Sequence, residues 1–177
     1  SIRHGLSNCA PDDIIILGDA DEIANPDAIK GYNGSQGLCR LKQRLFYYYL
    51  NCENKEGWDW QKIAPYSMVK ELTPCGIRYP PAGHVPLIEN GGWHFSFLGG
   101  AERVIQKVHD YAHREFDTPE LMNFERVAGL MENGGDVFGR NLTYEFVEID
   151  PTITTVAAGE LRAFIESELK KWTPIIK

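Results

Sequence analysis

Several things are scarce in this chain of 177 residues, and each scarcity narrows its function. No stretch approaches the roughly 20 consecutive apolar residues of a membrane-spanning helix, so no membrane segment is expected. Basic residues are outnumbered, 18 against 25 acidic ones, and the net charge is −7. With no basic run either, a nucleic-acid partner is not expected. The four cysteines, Cys9, Cys39, Cys52 and Cys75, include no Cys-x-x-Cys pair, which argues against a zinc site built on them. Free buried thiols are the expectation, with two bridges in a secretory lumen as the alternative. Ser1-Ile2-Arg3-His4 carries no signal-peptide pattern. No internal repeat or low-complexity tract interrupts the chain.

What is present suits a globular domain, with 43% hydrophobic and 24% charged residues. The organising stretch is Ile14-Ile15-Ile16-Leu17-Gly18-Asp19-Ala20-Asp21-Glu22. Four large aliphatics in a row predict a strand buried on both faces, as in a parallel sheet. The strand ends in three carboxylates, and ligands of open α/β sheets sit beyond the carboxyl ends of strands. Asp19 and Asp21, one residue apart, suit a hard cation such as Mg²⁺ or Mn²⁺ bridging to a substrate phosphate. A solvated acidic turn is the alternative.

Further along, Asn25-Pro26-Asp27 predicts a capped helix start, and Leu38 to Asn51 predicts one strand or two with a bend near Gln43. Residues 74–92, rich in proline and glycine, predict an irregular loop leading to a strand at Trp93–Leu98. Helices are predicted from Gly99-Gly100, from Pro119 to Gly134-Gly135, and over residues 157–172. Tyr47-Tyr48-Tyr49 fits either core packing or sugar stacking. Trp58 and Trp60, in a loop rich in glycine and charge, fit either a carbohydrate platform or a hydrophobic plug. His94 at a strand end fits a metal or phosphate ligand, or a hydrogen-bonded structural role. Gly91-Gly92 and Gly99-Gly100 allow a backbone to approach a ligand closely. Glu102, in the first turn of the following helix, fits a helix-start anion or a general base. His109 and His113 have the spacing of a zinc pair, but the Glu of a metalloprotease helix is absent. An EF-hand fails as well, since Ala24 and Lys30 stand where glycine and the bidentate glutamate belong.

Three stretches taken together carry a resemblance. Leu17-Gly18-Asp19-Ala20-Asp21-Glu22-Ile23, then Gly92-Trp93-His94-Phe95-Ser96-Phe97, then Glu102 followed by Lys107, with Gly134-Gly135-Asp136-Val137-Phe138-Gly139 beyond, resemble glycosyltransferase family seventeen. These are the β-1,4-mannosyl-glycoprotein 4-β-N-acetylglucosaminyltransferases, which add the bisecting N-acetylglucosamine (GlcNAc) to N-glycan cores. The resemblance implies a GT-A-like α/β fold, a mostly parallel mixed sheet flanked by helices. Residues 1–177 would be the C-terminal two thirds of one catalytic domain, lacking its N-terminal part. It implies a UDP-GlcNAc donor, a glycan acceptor and a divalent metal, Mn²⁺ or Mg²⁺. Asp21 would be the direct metal ligand, Asp19 a metal or ribose contact, and Glu22 and His94 supporting contacts at the metal and diphosphate. Glu102 would be the base of an inverting transfer, and Trp93, Trp58 and Trp60 would meet substrate. A cytoplasmic location is expected, or the Golgi lumen if the chain is part of an anchored enzyme. The alternatives are a Mg²⁺-dependent phosphohydrolase on the same acids and a non-catalytic glycan-binding fragment.

Overall fold

The computed structural model describes residues 2–80, 83–110 and 114–148. The elements are α1 (Ile2–Gly5), β1 (Ile14–Leu17), β2 (Glu22–Ala24), α2 (Pro26–Gly31), β3 (Cys39–Tyr47), β4 (Cys52–Trp58), β5 (Lys62–Pro65), α3 (Tyr66–Arg78), β6 (Leu87–Ser96), α4 (Ala101–Asp110), α5 (Phe124–Asn133) and β7 (Glu145–Phe146). A 3-10 turn covers Arg114–Phe116. The chain divides into two compact units: Ser1–Arg44 with Gly57–His94, and Leu45–Glu56 with the chain from Phe95 onward. No helix among the described residues is long and apolar enough to cross a membrane.

The expected GT-A-like, mostly parallel sheet is not what forms. The sheet has 7 strands in the order β1-β5-β3-β4-β7, with β6 on β3 and β2 on β6. The pairs β1–β5, β2–β6, β3–β5 and β4–β7 are all antiparallel. One physical reason lies in a connection. Parallel neighbours need a crossover of a dozen or more residues, whereas the neighbours β3 and β4 are joined by residues 48–51 alone. Nor is β1 buried on both faces. Ile14 and Ile16 are 38% and 36% exposed, while Ile15 and Leu17 pack inward. A run of four aliphatics reads as doubly buried, but at the end of the sheet only one face of it is covered.

The first unit has two apolar clusters. Tyr32, Cys39, Leu41 and Ile63 form one, and Leu38, Ala64, Val69 and Ile77 form the other. The predicted cap at Asn25 is present, its side chain accepting the Asp27 N–H at 3.0 Å, with Pro26 opening α2. The stretch expected to be an irregular loop from residue 74 instead continues α3 to Arg78 across a break at Thr73, where φ is 67°. Thr73 Oγ1 accepts the Gly76 N–H at 3.3 Å, so Thr73 caps a fresh helical turn that begins at Pro74. Leu38–Asn51 yields the single strand β3, and β6 starts at Leu87, well before Trp93.

The second unit is built on aromatic packing. Tyr47 stacks on Tyr144 with ring centroids 4.7 Å apart, and Phe97 and Phe138 meet edge to face at 5.5 Å. Tyr48 is fully buried; its hydroxyl donates to Gly135 O at 2.8 Å and accepts from Val137 N at 3.0 Å. Tyr47 and Tyr48 are therefore core residues rather than a sugar platform. Asp136, with no exposed side-chain surface, grips Arg140 through both oxygens. Helix α4 packs on α5, which Gly134 ends in the left-handed conformation, as its sequence predicts. The predicted helix over residues 157–172 lies outside the described residues.

Candidate functional site

The acidic turn after β1 is held by its own third acid. The Glu22 N–H donates to Asp19 O at 3.1 Å, and Glu22 Oε2 accepts the Asp19 N–H at 2.9 Å. Glu22 Oε1 accepts the indole N–H of Trp58, and Gln61 Nε2 donates to Glu22 O at 3.1 Å. Gln61 is itself fixed by Gln43 Nε2, which donates to its Oε1 at 3.0 Å. A Cβ at Gly18 would stand 2.5 Å from Glu22 Oε2 and 2.6 Å from Gln61 Nε2, so these two side chains would have to shift to admit one. Glu22, read from sequence as a cofactor contact, is thus a buried brace with both oxygens engaged.

The brace leaves Asp19 and Asp21 facing different partners. Strand β2 lies against β6 with Glu22 opposite His94, and this register brings Asp21 Oδ1 to 3.4 Å from His94 Nε2. The His94 side chain is only 8% exposed, and its Nδ1 is a buried atom with no hydrogen-bond partner. Trp58 packs edge-on against the imidazole at 4.7 Å. Asp19 accepts two bonds from the Arg78 guanidinium, at 2.7 and 2.9 Å. These bonds hold its carboxyl below the ordinary 3.8, against burial and the neighbouring Asp21, which push it up.

A depressed carboxyl pKa stabilises the folded state above the unfolded value, and that contribution disappears as pH falls through the folded value. The Asp19–Arg78 pair should therefore be at full strength above about pH 4 and fade below it. A carboxyl-carbon NMR titration should find the Asp19 midpoint below 3.8 and see it rise in Arg78→Gln. An unchanged midpoint in that variant would mean that Arg78 does not set it. Both side chains are well exposed, at 36% for Arg78 and 45% for Asp19. Pairs of this kind contribute about 0–1 kcal/mol to stability.

Arg78 and Asp19 also line a cleft of about 490 Å³ with Leu17, Gly18, Pro74 and Tyr79. Tyr79, 60% exposed, meets Trp60, 43% exposed, edge to face at 5.9 Å. Sequence reading missed Arg78, Tyr79, Gln61 and Gln43. For Arg78 a signal was there: Thr73-Pro74 is a cap followed by a first-turn proline, which predicts a helical turn through Arg78.

The other expected site residues fall elsewhere. Trp93 is buried, opposite Ile23 in the β2–β6 pair, and not on an open surface. Trp58 has its indole N–H committed to Glu22, which leaves Trp60 as the exposed indole of the two. Glu102 stands exposed in the first turn of α4, in the second unit. His109 Nδ1 lies 2.9 Å from Asp117, and His113 lies outside the described residues. All four cysteines are free thiols.

Among the described residues, no group of three His, Cys, Asp or Glu side chains is placed to hold a metal ion. A divalent cation that also binds substrate phosphate takes only one or two protein carboxylates and completes its shell with water and phosphate oxygens. Of the two acids on this turn, Asp21 faces His94 and Asp19 is held by Arg78. No protein-family model, no curated protein and no solved structure matches the chain.

Proposed function

We propose that the chain is a metal-dependent, inverting transferase that moves GlcNAc from UDP-GlcNAc to a glycan hydroxyl, a β-1,4 linkage to mannose. The observation that carries this reading is the pair of acids on the braced turn, with Asp21 set against the buried imidazole of His94. The resemblance of the acidic, Trp-His-Phe-Ser and Glu102 stretches supports the choice of donor and acceptor. When bound, the cation would supply charge neutralisation at the diphosphate of the departing nucleotide.

The chain's own residues would divide the rest of the work. Asp21 and Asp19 would hold the cation, and His94, 3.4 Å from Asp21, would orient that acid. Glu22, Trp58 and Gln61 fix the backbone of the turn that carries both acids. Trp60 and Tyr79 offer ring faces of the kind that sugars pack against. In an inverting transfer a base takes the proton of the acceptor hydroxyl as that oxygen bonds to the anomeric carbon, and UDP leaves with the electrons of the broken bond; the resemblance alone offers Glu102, of the second unit, for that role. Base assistance of this kind is typically worth about 10²–10⁴-fold in rate.

The deciding experiment is calorimetric titration of UDP-GlcNAc into the chain with Mn²⁺ and again with EDTA. Binding seen only with Mn²⁺ is expected. A chain that ignores UDP-GlcNAc in both, or binds a mannose-terminated glycan equally well in EDTA, would overturn the transferase reading.

A further inference from the structure

The chain has three Asn-Gly pairs, at residues 33–34, 90–91 and 133–134. In such a pair the main-chain nitrogen of the glycine can attack the asparagine amide carbon, because no side chain on the glycine blocks the approach. The attack is an intramolecular acyl transfer. Its rate depends on how freely the nitrogen moves and on what steadies the charge growing on the amide oxygen. The structure places the three pairs very differently. Asn133 is the last residue of α5, where its Nδ2 donates to Gly129 O at 2.8 Å and the Gly134 N–H is committed to Leu130 O. Asn90 lies within β6, its carbonyl accepts from Asn25 Nδ2 at 3.0 Å, and Gly91 is buried against Leu41 and the main chain of Lys42. Asn33 stands exposed in the turn after α2, and among the described residues no hydrogen bond holds the Gly34 N–H.

Two donors already converge on the oxygen that would take the charge. Asn33 Oδ1 accepts the Ser35 N–H at 3.0 Å and the Ser35 hydroxyl at 2.6 Å. A main-chain N–H can only donate, so the atom it meets is the amide oxygen, and Nδ2 is the end left to depart. We propose that Asn33 is a site of self-catalysed deamidation, with Gly34 N as the nucleophile and Ser35 as the oxyanion donor. Gly34 N gives its proton to water and bonds to Asn33 Cγ. The Cγ–Nδ2 bond breaks, and ammonia leaves with that electron pair and a proton from water. The five-membered imide then takes up one water. Opening at Cγ leaves aspartate, and opening at the main-chain carbonyl leaves isoaspartate, in which the chain runs through Cγ. Overall an amide and a water become a carboxylate and ammonium, with nothing oxidised or reduced. The reaction asks nothing of the acidic turn or of a bound ligand. A Cβ on Gly34 would stand 3.6 Å from Ile14 Cδ1 and 3.5 Å from Pro65 Cγ, the residues paired at one end of the β1–β5 ladder. Asn33 and Gly34 also share a hollow of about 340 Å³ with Asp12 and Ser67. The product therefore sets a new negative charge in the hollow with Asp12, and as isoaspartate a longer main chain against the end of β1.

The full chain, as wild type, Ser35→Ala and Ser35→Thr, is incubated folded at neutral pH and, separately, in concentrated urea. Conversion at the three Asn-Gly sites is followed by peptide mass spectrometry with isoaspartate detection. In the folded wild type Asn33 should convert about tenfold or more faster than Asn90 and Asn133, whose glycine nitrogens must first be released by local opening. In urea the three sites should converge, because no turn then holds the donors. Ser35→Ala should slow Asn33 about two- to tenfold in the folded chain, the value of one hydrogen bond made in water, since the Ser35 N–H remains. Ser35→Thr keeps the hydroxyl and should keep the wild-type rate. Ser35 is exposed, so both variants should fold. Three results each overturn the proposal: Asn33 no faster than the other two sites in the folded chain, Ser35→Ala at the wild-type rate, or Ser35→Thr as slow as Ser35→Ala. An equal lead for Asn33 in urea also overturns it, since the speed would then belong to the local sequence and not to the fold.

Discussion

Replacing Asp21 by asparagine should weaken Mn²⁺-dependent binding of UDP-GlcNAc by about a hundredfold or more, since losing a partner one shell further out already costs 10–100-fold. The substitution keeps the shape of the side chain and removes its charge. Asp21 is only partly buried, with 29% of its side chain exposed, and the turn is braced by Glu22 rather than by Asp21. The melting temperature should therefore stay close to that of the wild type. That separation of binding from stability distinguishes a ligand from a brace. Calorimetry and thermal melts on the same preparations give both readings. Binding retained within about threefold in the variant would place the cation elsewhere, given the 10–100-fold expected of even an outer-shell change. A large drop in melting temperature would instead make Asp21 a structural partner of His94.

The local features of the fold were legible, and the non-local ones were not. Asn25-Pro26-Asp27 announced α2 because capping is decided within three residues, and Gly134 announced the end of α5 for the same reason. Ile14–Leu17 was readable as a strand, but its neighbour and their relative direction depend on β5, far along the chain. The parallel reading failed at that step. Burial failed there too, since a strand at the end of a sheet shows Ile14 and Ile16 to solvent in the same letters that a central strand would bury.

In the candidate site, Asp19 and Asp21 stood out because they are adjacent, and His94 because it ends a strand. What each acid touches was invisible. Arg78 is 59 positions from Asp19, and Trp58 is 36 from Glu22. Glu22 looked like one acid of three. Only its contacts to Trp58 and to the Asp19 N–H show that it shapes the turn.

The glycine pairs were misleading in a more instructive way, and they carry the second large prediction. Gly91-Gly92 suggested backbone drawn close to a ligand. Instead Gly92, at φ 142°, lies against the backbone of β2. A Cβ on it would collide with Ile23 O and would stand 2.9 Å from Ala24 Cα and 3.0 Å from Asn25 N. All three are main-chain atoms, with no flexible side chain to move aside, and the backbone conformation itself disfavours an L side chain. Strand β2 has only three residues, and its sheet partner is β6. The variant Gly92→Ala can relieve the clash only by pushing β2 off β6, which dissolves the register that faces Glu22 with His94 and brings Asp21 to the imidazole. Urea denaturation should show a loss of about 3 kcal/mol or more, at the upper end of what single substitutions do. Mn²⁺-dependent donor binding should disappear with it. Gly100→Ala is the matched control from the other pair: φ there is 89°, but nothing lies within 4 Å of the added carbon. It should cost only the backbone term, about 1 kcal/mol. If Gly92→Ala proved as mild as Gly100→Ala, β2 would not be held against β6 as described. The pairing of Asp21 with His94, on which the functional reading stands, would then lose its structural basis.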